Sequence, residues 1–460
     1  MLQGYLLENT PPNAIPLEPV EENAFSEWLE QQDEPTRRWM AATAFQGKAG
    51  TNCLMPSPGG GLGKVISGIR SRSDPWAFGD LPLTLPAQEY YLEASWPVEL
   101  LERALVGWGL GAYLFTRYRA EEQPRARLAI PQKCNAAAVQ NQIEAIYLVR
   151  DLINTPAEDM MPEQLADAMA RLAREFGGEL QQIVGDELLA NNFPAIHAVG
   201  RASQRASRLI DLRWGDDSYP KVTLVGKGVC FDSGGLDLKS AKGMRLMKKD
   251  MGGAAHAMGL ARLVMAAALP VRLRVVVAAV ENAVSGNALR PGDVIRTRKG
   301  LTVEIDNTDA EGRLILCDAL AEGSREKPDL MLDFATLTGA ARTALGTDIP
   351  ALFCPEDKIA SGLLMNAERE QDPLWQLPLY QPYRALLESK IADLVNATDS
   401  PYAGAITAAL FLREFVPEET PWAHFDLMAW NMASRPGRPE GGEAMGIRGI
   451  FRYLANRFAS

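Results

Sequence analysis

The chain reads as an α/β protein in two parts. A large C-terminal domain, residues 133–460, has a mostly parallel central sheet flanked by helices, and a smaller N-terminal α/β domain covers residues 1–132. Three observations predict this. Strand-like and helix-like segments alternate from Leu180 onward, which implies a parallel sheet with helices on both faces. Short strand-like runs with many Pro and Gly breaks fill the first 130 residues. A length of 460 residues with 47% hydrophobic content suffices for two packed cores, one of them large.

In the first part, Ser57–Lys64 (SPGGGLGK) superficially matches a phosphate-binding loop. Val65 stands where Ser or Thr is needed, and Pro58 takes the place of the first glycine, so a surface turn is expected. Glu93–Leu114 carries Leu100, Leu101, Leu105 and Trp108 at helical spacing, an amphipathic helix packed on its own domain. Tyr118–Pro131, charged and Pro-flanked, reads as a linker.

Asn135–Asn154 is predicted helical, with Val139, Ile143, Ile146, Leu148 and Leu152 on the buried side and a stop before Pro156. Another helix opens at Met161-Pro162-Glu163 and runs to about Phe176. The clearest strands beyond it are Val222–Val225, Leu273–Val280, Val303–Ile305 and Leu330–Phe334, and helices are expected at 253–268, 311–322 and 359–369. Ligands of such sheets gather beyond the carboxyl ends of the strands.

Composition narrows the function. A formal charge of −11 argues against nucleic acid or an anionic membrane as the main partner. Five scattered cysteines without a CxxC pair argue against a disulfide framework or a zinc finger and for a reducing compartment. MLQGYLLENTPPN shows no signal peptide, and Leu260–Val280 is broken by Arg262, Pro270, Arg272 and Arg274, which excludes a membrane span there. A cytoplasmic enzyme is the expectation.

Its chemistry is concentrated in KVTLVGKGVCFDSGGLDLKSAKGMRLMKKDMGG (221–253) and in NTDAEGR (307–313). Lys221–Val225 reads as a buried strand, after which the glycines at 226, 228, 234 and 235 suggest a tight loop presenting Lys227, Asp232 and Lys239. Asp250 precedes a long Ala-rich helix, while Asp309 and Glu311, two positions apart, follow the strand-like run Leu301–Ile305. Four ionised carboxylates in one pocket repel one another, and burial would raise their pKa values. Two divalent cations cancel that charge, so a two-metal hydrolase site is expected. With histidines only at 197, 256 and 424, a His-rich zinc site does not fit. Oxygen ligands suit Mn²⁺ or Mg²⁺ as well as Zn²⁺. His256 in AAHAMGL reads as packing and His424 in WAHFDL as a structural hydrogen bond.

GKGVCFDSGG, LDLK, KKDMGGAA and above all NTDAEGRL resemble the leucyl aminopeptidase family of dinuclear metallopeptidases. The likeness runs from Arg150–Pro156 through ATLTGA (335–340) to Ala403–Phe415 and beyond, and leaves the first 130 residues unassigned. It implies one metal on Lys227, Asp232, Asp250 and Glu311 and a second on Asp232, Asp309 and Glu311. Lys227 would have to be neutral to donate. The resemblance also implies that Lys239 stabilises the oxyanion and that Arg313 holds bicarbonate as general base. The Leu337 carbonyl would contact the substrate nitrogen, and Met247, Thr336, Leu337 and Gly339 would form a pocket for bulky apolar residues. Ordinary core packing is an equal reading of Met247.

Peptide substrates and a homohexamer follow from the same likeness. The chain departs from many members at Asp237, where they have Ser, and at Met445, where they have Thr. Both approach the active-site rim in the family, so cleavage preference is open. The N-terminal domain is expected to act in assembly or access. Competing classes are a DNA-binding regulator, a non-catalytic subunit and a metal-dependent phosphoesterase. The intact set of motif residues argues against the second, and only the resemblance separates the third from a peptidase.

Overall fold

The computed structural model describes residues 5–119 and 124–458. The chain divides into two compact units, residues 5–147 with 433–440, and residues 148–432 with 441–458.

The first unit carries a six-stranded sheet in the order Leu6–Leu7, Arg127–Ala129, Glu89–Leu92, Ile15–Glu21, Leu62–Ile69, Asn52–Pro56, parallel except for the last pair. The predicted linker is thus corrected. Residues 120–123 lie outside the described residues, but Arg127–Ala129 is a strand held between two others. Leu128 and Ala129 are fully buried there, in a strand too short to show a period among charged neighbours. The helix Val98–Gly111 buries Leu101, Leu105 and Trp108, and leaves Leu100 half-buried. Ser57–Gly61 closes a turn between two antiparallel strands, with the Ser57 amide donating to the Gly61 carbonyl at 2.7 Å. Lys64 spends its charge on Glu18 (2.5 Å) and Glu93 (2.6 Å) rather than on a phosphate.

The second unit is organised by an eight-stranded sheet. Its four central strands, Trp422–Asp426, Leu330–Ala335, Lys221–Asp232 and Arg272–Asn282, are parallel. Antiparallel pairs on either side make the whole mixed. The central strands are apolar on both faces, Val275, Val276 and Val277 all being fully buried, as helices covering both sides require. Val303–Ile305 does not join this sheet. Thr302–Glu304 pairs with Val294–Arg296 and Leu394–Val395 in a separate three-stranded sheet. Alternating hydrophobicity marks a strand without naming its partner.

The tight loop is also corrected. Lys221–Asp232 is one continuous strand, so Gly226, Lys227 and Gly228 lie within it. The glycines there serve close packing. A Cβ on Gly226 would meet the Ala254 Cα at 2.6 Å, and one on Gly228 the Ala278 carbonyl oxygen at 2.6 Å. Positive φ begins only at Gly234 and Gly235, +88° and +68°. Strand alternation does the rest: Val225 and Val229 join the core with Leu314 and Ile315, and Lys227 between them meets the start of the helix Glu311–Ser324 at Gly312.

The helix Gly252–Ala266 is buried all round, from Gly252 to Met265, which explains its Ala- and Gly-rich sequence. His256 sits inside it. Its Nε2 accepts from the Met445 amide at 2.9 Å, so Nδ1 carries the proton and donates to the Gly252 carbonyl at 2.6 Å. Burial lowers its pKa to about 4. The unfolded chain binds that proton near pH 6.5, so the stabilisation is complete above 6.5 and is lost as pH falls toward 4. Urea unfolding at pH 7.5 and pH 5 is expected to show the wild type losing about 2 kcal/mol more than a His256→Asn variant, which cannot titrate. Equal losses would contradict the burial of a neutral ring. His424 donates to Asp333 at 2.6 Å in the core, and Trp422 binds the other carboxylate oxygen at 2.7 Å. Burial works to discharge that ring, but Asp333 outweighs it and holds the pKa above its usual value. Among the described residues no helix is long and apolar enough to cross a membrane.

Candidate metal centre

Three parallel strands end around one cluster. Lys227 and Asp232 come from the strand Lys221–Asp232, and Asp232 sits at its carboxyl end. Hydrogen bonds from Gly234 N (2.8 Å) and Asn282 Nδ2 (2.9 Å) fix Asp232 Oδ1 and turn Oδ2 toward Lys239 Nζ, 2.8 Å away. Asp250 lies in the 3₁₀ turn Met247–Met251; its Oδ1 accepts from Thr336 Oγ1 at 2.8 Å, and its Oδ2 is 2.6 Å from Lys227 Nζ. Asp309 follows a turn pinned by Asn396, and Glu311 opens the helix Glu311–Ser324.

The structure brings Lys227, Asp232, Lys239, Asp250, Asp309 and Glu311 together. Carboxylate oxygens of Asp232, Asp309 and Glu311 all fall within 4.8 Å of one another, a spacing that can hold a metal ion. Asp250 joins through Lys227, which also stands 3.1 Å from Glu311 Oε1 and donates to the Thr336 carbonyl at 3.0 Å. Lys239 bridges Asp232 and Asp309.

The direct ion pairs of the cluster do not balance. Four carboxylates face two ammonium groups, and the deficit appears as shifted protonation. Burial first, then the Asp232 charge, raises Glu311 to about 8 and Asp309 to about 6. Burial opposes the charge on Asp232 too, but Lys239 and Lys227 outweigh it and hold its carboxyl below the usual range. Lys227 is held protonated, because Asp250, Glu311 and Asp232 overcome the burial that would discharge it. Glu311 Oε2 is buried with no hydrogen-bond partner, and the buried Asp250 Oδ2 and Asp309 Oδ1 have only the ammonium groups of Lys227 and Lys239 against them. Buried acceptor atoms left in this state are costly, and hard divalent cations satisfy them with oxygen ligands. The residues present fit metal.

Arg313 is buried beside this cluster. Its Nη1 donates to the Asn396 carbonyl at 2.7 Å, while Nε has no hydrogen-bond partner. Burial lowers its pKa to about 10 against the pull of Glu311 and Asp426. Leu337 and Thr338 give their amides to Asp426 Oδ1 at 3.0 and 3.1 Å, which sets the path of the Thr336–Gly339 segment. Thr336 is buried with its hydroxyl on Asp250, Met247 is half-buried, and Gly339 is exposed.

Asn282 and Asp426 escaped the sequence reading. Both stand at the carboxyl ends of central strands, a position that could have found them. Asp237 has an unforeseen use: its carboxylate accepts from the Thr308 amide at 2.8 Å, and its own amide donates to Thr308 Oγ1 at 2.8 Å. It ties the Lys239 loop to the Asp309 turn. Met445 is buried and gives its amide to His256.

Residues 147–451 match the model of the cytosol aminopeptidase family catalytic domain, and residues 15–131 match the M17 aminopeptidase N-terminal domain. A probable cytosol aminopeptidase of Geobacter sp. (strain M21) is 37% identical over 445 residues, 90% of each chain. The crystal structure of a cytosol aminopeptidase from Coxiella burnetii superposes with a TM-score of 0.96 at 51% identity, covering 98% of this chain and 99% of that one. The bottromycin maturation enzyme BotP in complex with Mn gives a TM-score of 0.86 at 33% identity, covering 96% and 99%. The chain belongs to the cytosol aminopeptidase family and is a metal-dependent peptidase that removes N-terminal residues from peptides.

Proposed function

We propose that the cluster is a two-metal aminopeptidase site acting on peptides with apolar N-terminal residues such as Leu. One divalent cation would be held by Lys227, Asp232, Asp250 and Glu311, and a second by Asp232, Asp309 and Glu311. The observation that carries this reading is the convergence of Asp232, Asp309 and Glu311 with the unpartnered Glu311 Oε2. Mn²⁺ or Zn²⁺ suits the donor set, with Mg²⁺ a further occupant, and Mn in a related structure supports the first. The cations, when bound, supply the charge that acidifies a shared water and polarises the scissile carbonyl.

The chain's own groups do the rest. Lys239, paired with Asp232 and Asp309, would donate to the carbonyl oxygen as negative charge develops there. Arg313 holds bicarbonate, the general base, by the buried Nε that has no hydrogen-bond partner among the described residues. Lys227 would have to give up its proton to serve as a ligand. The Leu337 carbonyl receives the substrate nitrogen, and Met247, Thr336, Leu337 and Gly339 border the side-chain pocket. Residues 1–132 serve assembly or access, residues 133–460 catalysis, and the enzyme works as a cytoplasmic homohexamer.

The test is a panel of aminoacyl amides assayed after chelation and after restoring Mn²⁺, Zn²⁺ or Mg²⁺. Activity lost on chelation, restored by metal and highest for Leu is the expected result. Hydrolysis that survives chelation sinks the reading.

A further inference from the structure

Lys239 reaches the cluster from a loop that apolar packing does not hold. Leu236 and Leu238, on either side of Asp237, are 42% and 61% exposed, so neither anchors the loop in the core. Among the described residues the Lys239 ammonium pairs only with Asp232 and Asp309. Both carboxylates are committed to cations in the proposed function, which makes them poor anchors for an oxyanion donor. The direction of the Lys239 side chain then depends on where the backbone of its loop is held.

That backbone is held by Thr308, which is 3% exposed and directly precedes Asp309. All of its polar groups are taken. The Thr308 amide donates to Asp237 Oδ2 at 2.8 Å. Its hydroxyl accepts from the Asp237 amide at 2.8 Å and donates to the Gly234 carbonyl at 2.6 Å. Its carbonyl accepts from Asn282 Nδ2 at 3.1 Å, the group that also binds Asp232 Oδ1. Within the loop, the Lys239 amide donates to the Ser233 carbonyl at 3.0 Å. A Cβ on Gly235 would stand 3.0 Å from the Thr308 hydroxyl oxygen, so the loop lies down on Thr308 as closely as bare backbone allows. Of the bonds between loop and Thr308, only the Asp237 carboxylate comes from a loop side chain. It covers an amide that has no other partner among the described residues, and a donor left in that state destabilises the arrangement around it.

We infer that Asp237 is a positioning residue for the reaction: by holding Thr308, its carboxylate fixes the loop from which Lys239 meets the developing oxyanion. The inference rests on the aminopeptidase reading and deepens it. Asp237 makes no hydrogen bond or ion pair with any of the six cluster residues among the described contacts, so it acts through Lys239.

The experiment uses the metal-loaded, full-length enzyme with leucinamide as substrate. It measures kcat, KM, retained metal and amide hydrogen exchange over residues 233–239. Asp237→Ala is expected to lower kcat about ten- to a hundredfold, the scale for a misplaced catalytic group. KM should stay within about twofold, because the interaction belongs to the transition state. Metal should remain at the wild-type level, and exchange in the segment should speed up. Asp237→Asn, which keeps an oxygen for the Thr308 amide, should hold most of the rate and the slow exchange. In a Lys239→Ala background the same alanine substitution should cost less than about twofold, since the group it positions is gone.

An unchanged kcat or unchanged exchange in Asp237→Ala overturns the inference, as does a fall that persists in full without Lys239. A fall that tracks loss of metal overturns it too, because the effect then lies on the Asp309 turn. In each of these outcomes the wild type still releases leucine. A metal-loaded wild type that releases none overturns the aminopeptidase reading, and this inference with it.

Discussion

Glu311→Ala is expected to abolish turnover, by about a thousandfold or more, and to lower the metal retained after dialysis. Glu311 is proposed to serve both cations, and no neighbour can replace it. It is buried, its Oε2 has no hydrogen-bond partner, and its pKa stands at about 8 because burial and the Asp232 charge oppose ionisation. Cations therefore have the most to offer this group of the four. Metal uptake at neutral pH should expel its proton, so apparent affinity rises with pH, more steeply below about 8 than above it, where the Lys227 proton is still to be released. Truncation also strips Lys227 of one of its two carboxylate partners. Kinetics alongside elemental analysis of the dialysed protein decide the matter. A variant with full metal content and full rate would falsify the ligand assignment.

Lys239→Ala should cut turnover by about a hundred- to a thousandfold, the scale for losing one oxyanion donor, while bound metal stays at the wild-type level. The split follows from position. Lys239 Nζ pairs with Asp232 and Asp309, two of the proposed ligands, so its positive charge competes with a cation for them. Removing it leaves those carboxylates more available. Loss of metal together with rate would mean that Lys239 organises the carboxylates rather than stabilising the oxyanion.

Much of the large domain was legible because its central strands combine β-branched, doubly buried runs with glycine-rich exits. Asp232 ends such a strand and Lys239 follows on its exit, Asp250 and Glu311 stand at helix starts, Lys227 lies within the strand and Asp309 in the turn before Glu311. What escaped was of three kinds. Gly226 and Gly228 carry the composition of a loop, yet they lie within a strand because a helix on one face and a neighbouring strand leave no room for side chains. Arg127–Ala129 is too short for any period to declare itself. Asn282 and Asp426 belong to no recognised motif, and their importance arises from which amides and carboxylates tertiary packing sets against them. The Val303 strand was found, but pairing is a long-range property that local alternation does not encode. The N-terminal region, which the motifs left unassigned, is covered by a domain model of the same family.

Gly312 and Lys227 were described as neighbours where strand meets helix. A Cβ at 312 would lie 2.8 Å from Lys227 Nζ and closer still to its stem. Mutational drift at these two positions is therefore interlocked: any larger residue at 312 displaces the amine that reaches Asp250 and Glu311. A designer transplanting this centre to another scaffold would have to carry over a bare patch of helix as faithfully as the ligands.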